Sequence, residues 1–128
     1  MKLIIAGSRG LDGATAYKIL QEQLCLFVNS LGDRPITRIL SGGARGIDSL
    51  ADRLAHEKKI QFVEYPAMWD SFPGRSAGYI RNAAMANDGD ALLAIWNGQS
   101  KGTKHMIDSM SNLGKPVWVY QMKGDHDF

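Results

Sequence analysis

The chain holds one cysteine, Cys25, so no internal disulfide can staple it. In the middle of a helical stretch, that thiol is expected to be buried and structural. No apolar run approaches the roughly 18 residues that a membrane-spanning helix needs. The opening Met1–Gly7 is too short an apolar stretch for a leader. An excess of one charge is missing as well: 15 Lys and Arg stand against 13 Asp and Glu, a formal net charge of +2 with no long basic block. That balance argues against nucleic-acid binding through bulk charge alone. His56, His105 and His126 share no ligand spacing with one another or with Cys25, so a metal site has no support. No GxGxxG fingerprint and no Gly-Lys-[Ser/Thr] ending of a Walker A loop occurs, which leaves a P-loop ATPase unsupported. No Gly-x-Ser-x-Gly elbow marks Ser8 or Ser41 as a nucleophile, and phosphate ligation is the better reading of both. The reduced thiol and six methionines suit a reducing compartment, and a cytoplasmic location is expected.

What is present is an alternation of short aliphatic runs with longer helical patterns. Lys2–Ala6, Ile36–Leu40, Ile60–Tyr65, Ala91–Trp96 and Val117–Tyr120 read as buried strands. Between them, apolar residues recur at helical spacing. The first helix carries positions 17, 20, 24, 27, 28 and 31, and the second carries Ile47, Leu50, Ala51, Leu54 and Ala55. A third helix over Arg75–Asn87 is expected to turn Ile80, Ala83 and Ala84 inward. The fourth, Lys101–Leu113, presents Met106, Ile107, Met110 and Leu113 on one face. Ala67–Gly74 reads as an irregular loop. Strands alternating with helices predict a single-domain α/β, Rossmann-like three-layer sandwich with a five-stranded parallel sheet in the order 3-2-1-4-5. The domain is expected to span 1–122, with a polar tail over 123–128.

The placement of the 14 glycines carries the functional signal. Gly32, Gly89 and Gly114 precede strands and read as left-handed helix ends. Gly7, Gly10, Gly13, Gly42, Gly43, Gly46, Gly74, Gly78, Gly98 and Gly102 follow strands instead. They therefore crowd the carboxyl rim, where open α/β sheets bind ligands. Glycine there lets backbone N–H groups approach an anion at the positive end of a helix. Tight strand-to-helix turns need some glycine anyway, but three such loops on one rim favour a ligand. Gly98-Gln99-Ser100-Lys101-Gly102-Thr103 opens the fourth helix, and its N–H groups with the Ser100 and Thr103 hydroxyls suit a phosphate.

Side chains around these loops each admit two readings. Arg9 and Arg45 are either phosphate partners or solvated arginines. Asp48, in the first turn of the second helix, either offsets the helix dipole or bonds a ribose hydroxyl. Arg81 and Asn82 either read a base or phosphate or, for Asn82, hold the neighbouring loop. Trp69 and Trp96 either stack on a base or pack on the sheet. Trp118, inside the last strand, reads as core.

Four motifs occur in order: Gly7-Ser8-Arg9, then Ser41-Gly42-Gly43-Ala44-Arg45-Gly46-Ile47-Asp48, then Ala77-Gly78-x-x-Arg81-Asn82, then Trp96-x-Gly98-x-Ser100-x-Gly102-Thr103. Together they resemble the SLOG superfamily, with its small YspA-like branch the nearest match, over about residues 3 to 120. The resemblance implies a nucleotide-type, phosphate-bearing ligand. That superfamily also contains the LOG phosphoribohydrolases, the single-strand DNA binder DprA and sensors of NAD- or ADP-ribose-derived ligands. One departure matters: LOG enzymes place a catalytic glutamate in Gly-Gly-x-Gly-Thr-x-x-Glu, and here Met106 occupies that position. A thioether supplies neither acid, base nor charge. Any carboxylate would come from Asp48, Asp70 or Asp12.

The sequence therefore predicts a nucleotide-binding or sensing module that recognises a small-molecule ligand, with no certain cofactor and no membrane partner. A hydrolase cleaving an N-glycosidic or phosphoanhydride bond through Asp48 or Asp70 is the alternative. DprA-like binding of single-stranded DNA through Arg45 and Lys101 is the second. Exposed apolar positions on the first or third helix leave pairing between copies open.

Overall fold

The computed structural model describes residues 1–43, 45–68 and 76–122. The elements run β1 (Lys2–Gly7), α1 (Gly13–Ser30), β2 (Arg38–Ser41), α2 (Ile47–Lys58), β3 (Gln61–Glu64), α3 (Ser76–Asp88), β4 (Ala91–Trp96), α4 (Lys101–Asn112) and β5 (Val117–Gln121). All strand pairs are parallel, in the order β3-β2-β1-β4-β5, so the expected α/β architecture and strand order are both found. Pairing of Ile5 with Leu93 and of Ala6 with Ala94 sets the central register.

The period of two in the strands divides the core between the faces of the sheet. Leu3, Ile5, Leu93 and Ile95 face one way, onto Leu20, Leu24 and Phe27 of α1 and Ile47, Ala51 and Leu54 of α2. Ile4, Leu40, Leu92 and Ala94 face the other way, onto Met85 and Ala86 of α3 and Met106 and Met110 of α4. Burying each such aliphatic side chain is worth about 1.5–3 kcal/mol. Trp118 is half-buried at the edge of the first cluster. Its Nε1–H donates to Gln23 Oε1 at 2.8 Å, and its ring lies 5.6 Å from that of Phe27.

Several expectations are corrected. On α3, Ile80 is half exposed and Ala83 and Ala84 face outward, while Ala77, Gly78, Asn82, Met85 and Ala86 face inward. The inward face is thus chosen by the cavity and sheet beneath it rather than by the most apolar positions. Leu113 lies past the end of α4 and is exposed. Cys25 is exposed, one helical position off the inward stripe of Leu24 and Phe27. Gly32 and Gly114 do take left-handed φ values of 75° and 69°. Gly89 does not; a Cβ there would press on the Ile4 side chain and the Met85 carbonyl oxygen, so close approach explains it. The carbonyls that end α3 are held by Lys115, whose Nζ donates to Ala86 O at 2.6 Å, Asn87 O at 3.1 Å and Gly89 O at 2.7 Å. The tail 123–128 and the 69–74 part of the expected loop lie outside the described residues.

Candidate functional site

The chain leaves β1 and β4, neighbours in the sheet, toward opposite faces, α1 on one side and α4 on the other. This divergence opens a crevice at the carboxyl rim. Ser8 stitches its two sides together: its backbone N–H donates to Ile95 O at 3.2 Å, and its Oγ accepts the Asn97 N–H at 3.0 Å. The entry to α2 closes on the same place. Gly46 has φ +76°, and its α-carbon lies so close to the Ser8 and Arg9 carbonyls that no side chain fits. Gly7 is equally constrained, pressed between the Ile95 carbonyl and Ile47.

The result is a cavity of about 570 Å³. From β1 and its loop come Gly7, Ser8 and Arg9; from the turn after β2, Gly42; from the first turn of α2, Asp48; from α3, Tyr79, Arg81 and Asn82; from the start of α4, Ser100, Lys101, Gly102 and Thr103. Met85 and Met106 supply apolar lining.

The α4 start is largely self-capped. Asn97 Oδ1 accepts the N–H groups of Gln99 and Ser100, each at 2.9 Å, and Ser100 Oγ accepts that of Thr103 at 3.4 Å. Helix geometry leaves the Lys101 and Gly102 N–H groups without an intrahelical acceptor. They are the donors that an anion at this end would engage, with the helix dipole behind them.

Arg81 is the most enclosed cation of the cavity wall, half-buried beneath Gly42. Its Nη1 donates to Gly42 O at 2.9 Å and its Nε to Asn82 Oδ1 at 2.9 Å. These bonds use two of its five N–H groups. Burial pulls Arg81 below the ordinary arginine value; the negative charge of Asp48 opposes that shift and the positive charge of Arg9 adds to it. Asn82 Nδ2 reaches both Gly102 O and His105 Nδ1, each at 3.2 Å. The His105 ring stacks on Tyr79 with centroids 4.2 Å apart, and burial lowers its pKa despite the opposing pull of Asp108.

Of the residues singled out from sequence, Gly7, Ser8, Arg9, Gly42, Asp48, Arg81, Asn82, Ser100, Gly102 and Thr103 meet in this cavity. Ser41, Gly43, Arg45, Trp96 and Gly98 do not line it. Ser41 is buried, and its Oγ accepts the Gly43 N–H at 3.2 Å, a turn-forming bond. Gly43 abuts Glu64, Arg45 is exposed, and Gly98 takes φ +82° against Gln121. Trp96 Nε1–H donates to Ser100 O at 3.0 Å, so its ring anchors the α4 start from the side. Ala44, Trp69 and Asp70 lie outside the described residues. Sequence reasoning missed Tyr79 and Asn97; an Asn two residues before Gln99 is a recognisable Asx-turn signal. Among the described residues, no three His, Cys, Asp or Glu side chains are grouped to hold a metal ion, and no helix is long and apolar enough to cross a membrane.

Fold and cavity together define an α/β protein with a Rossmann-like sheet and a basic crevice at its switch point. No family model matches the chain. It is 32% identical over 123 residues to the gene 61 protein of Mycobacterium phage D29, covering 91% of this chain and 93% of that protein. The chain belongs to the family of that phage protein. Among solved structures, the crystal structure of the protein TM1055 superposes with a TM-score of 0.63 at 19% identity, covering 91% of this chain and 71% of that one. That likeness is one of fold alone.

Proposed function

We propose that this chain is a SLOG-type module, nearest the YspA-like branch, that binds a phosphate-bearing, nucleotide-like small molecule in the cytoplasm. The supporting observation is the convergence of Arg9, Arg81 and Lys101 with the α4 N-terminus on one crevice at the switch point. A phosphate meets the Lys101 and Gly102 N–H groups there, and Arg81 offers a planar fork of donors. In this reading Asp48, 7% exposed in the cavity wall, accepts hydrogen bonds from sugar hydroxyls. The test is a thermal-shift screen against nucleoside phosphates, NAD and ADP-ribose. A true ligand at one hundred times its Kd adds about 2.7 kcal/mol of stability. Wild type should respond and Arg81→Ala should not; a screen in which no ligand distinguishes the two defeats the proposal.

The buried position of Asp48 in the cavity favours one second reading, hydrolysis of a nucleotide bond with Asp48 as general base. Free base or phosphate released by wild type and abolished by Asp48→Asn supports it. DprA-like strand binding has less support, because Arg45 stands outside the cavity.

A further inference from the structure

Asn82 has its amide orientation fixed from two sides. Its Oδ1 faces Arg81 Nε, which can only donate, and its Nδ2 faces Gly102 O, which can only accept. The second Nδ2 proton therefore points at His105 Nδ1. That nitrogen must accept, so the ring is neutral and carries its proton on Nε2. We infer that His105 acts through Asn82 as a positioning residue for Arg81 and Gly102, and that the cavity holds a phosphate-type anion best while the His105 ring is neutral. The inference rests on the anion-binding reading proposed above and adds a regulation to it.

Protonation would place an Nδ1–H against an Nδ2–H, and ring and amide could not both stay. If the amide turns over, Arg81 Nε loses its acceptor and Gly102 O loses its bond from Asn82. If the ring leaves, Tyr79 loses the stacked support behind it. Tyr79, Arg81 and Gly102 all line the cavity, so either route alters its wall.

The groups around the ring leave this bond in control. From α3 come Tyr79, stacked on it, and the Arg81 cation on the far side of Asn82. From α4 itself comes Asp108, which favours the protonated ring but is paired with Lys104 at 2.8 Å. Burial disfavours the charged ring. A positive ring would by itself attract an anion, so the sign of the pH effect separates the two influences.

The test uses sulfate, whose charge does not change between about pH 8 and about pH 5, so that only the protein titrates. NMR titration reads the Lys101 and Gly102 amides, and the His105 ring nitrogens report the tautomer without any ligand. The expected results are an unprotonated Nδ1 at the higher pH, sulfate affinity roughly five- to tenfold weaker at the lower, and a flat response in His105→Gln. An Nδ1–H tautomer at the higher pH, tighter binding in acid, or the same pH dependence in His105→Gln overturns the inference. Sulfate binding that ignores pH defeats the coupling alone. Amides that sulfate never moves defeat the anion-binding reading and the coupling with it.

Discussion

The Arg81 guanidinium occupies the space that a side chain on Gly42 would fill, and Nη1 bonds the Gly42 carbonyl oxygen at 2.9 Å. Glycine in the second rim loop is thus required by an arginine from α3. Gly42→Ala should displace the end of that flexible side chain without breaking the loop. The expected stability loss is about 1–2 kcal/mol, the worth of hydrogen bonds to a charged group, with ligand affinity falling as in Arg81→Ala.

Gly46→Ala should behave differently. Its φ is +76°, and the atoms in the way are the Ser8 and Arg9 backbone carbonyls, which have no rotamer to yield. Denaturant melts should show a loss above about 3 kcal/mol, or failure to fold, from backbone strain and a clash between two loops. A Gly46→Ala protein as stable as Gly42→Ala would disprove this packing.

Gly102 offers the converse case. Outside its own helix backbone and chain neighbours, no atom lies within 4 Å of where its Cβ would be, and the residue lines the cavity. Alanine suits a helical first turn better than glycine, so Gly102→Ala should gain about 0.5–1 kcal/mol in stability. The same methyl blocks close approach to the Lys101 and Gly102 N–H groups and should weaken nucleotide binding. Higher Tm with unchanged affinity would mean that the anion does not sit at this helix end.

Two tyrosines predict an alkaline limit to the fold. Tyr17 OH donates to Glu57 at 2.7 Å and Tyr65 OH to Asp88 at 2.6 Å. Burial, then the bonded carboxylate, pushes each hydroxyl up from 10.0 to about 12. A group raised in the fold contributes stability that is complete below its unfolded value. That contribution disappears as pH climbs from about 10 to about 12. Chemical melts across that range should show a steep decline in wild type and a shallower one in Tyr17→Phe or Tyr65→Phe.

Strand order and the rim position of the crevice were legible because period-two strands and glycine-rich turns are local signals. The inward face of α3 was not, because Gly78 and Asn82 stand where apolar residues would satisfy a pattern. Such breaks in pattern belong to sites rather than to cores. Ser41, Gly43, Trp96 and Gly98 carry site-like spacing yet shape turns and anchor the α4 start. Spacing alone does not tell a ligand contact from a contact that builds the loop. His105 was visible only as a non-ligand of metals, since its partner Asn82 comes from another helix. The exposed thiol of Cys25 follows from one step of helical phase, finer than the apolar spacing resolves.

Met106, which the resemblance to the LOG motif puts at the position of its glutamate, is 1% exposed among Ile4, Leu40, Met85 and Met110, with an edge on the cavity. It is core and pocket lining at once. Met106→Leu conserves volume and should cost less than about 1.5 kcal/mol. Met106→Glu puts a carboxyl into the same apolar cluster, where desolvation raises its pKa. A carboxyl raised in the fold destabilises at pH values above its unfolded pKa of about 4.3, and the penalty disappears below it. Melts should therefore show a loss of about 2–4 kcal/mol at neutral pH that shrinks on acidification. A carboxylate accepted here at neutral pH without loss would mean that the cavity stabilises negative charge at this position. The methionine would then be a substitution in a site still suited to the LOG-type reaction, and incubation of Met106→Glu with a nucleoside monophosphate should release free base where wild type releases none.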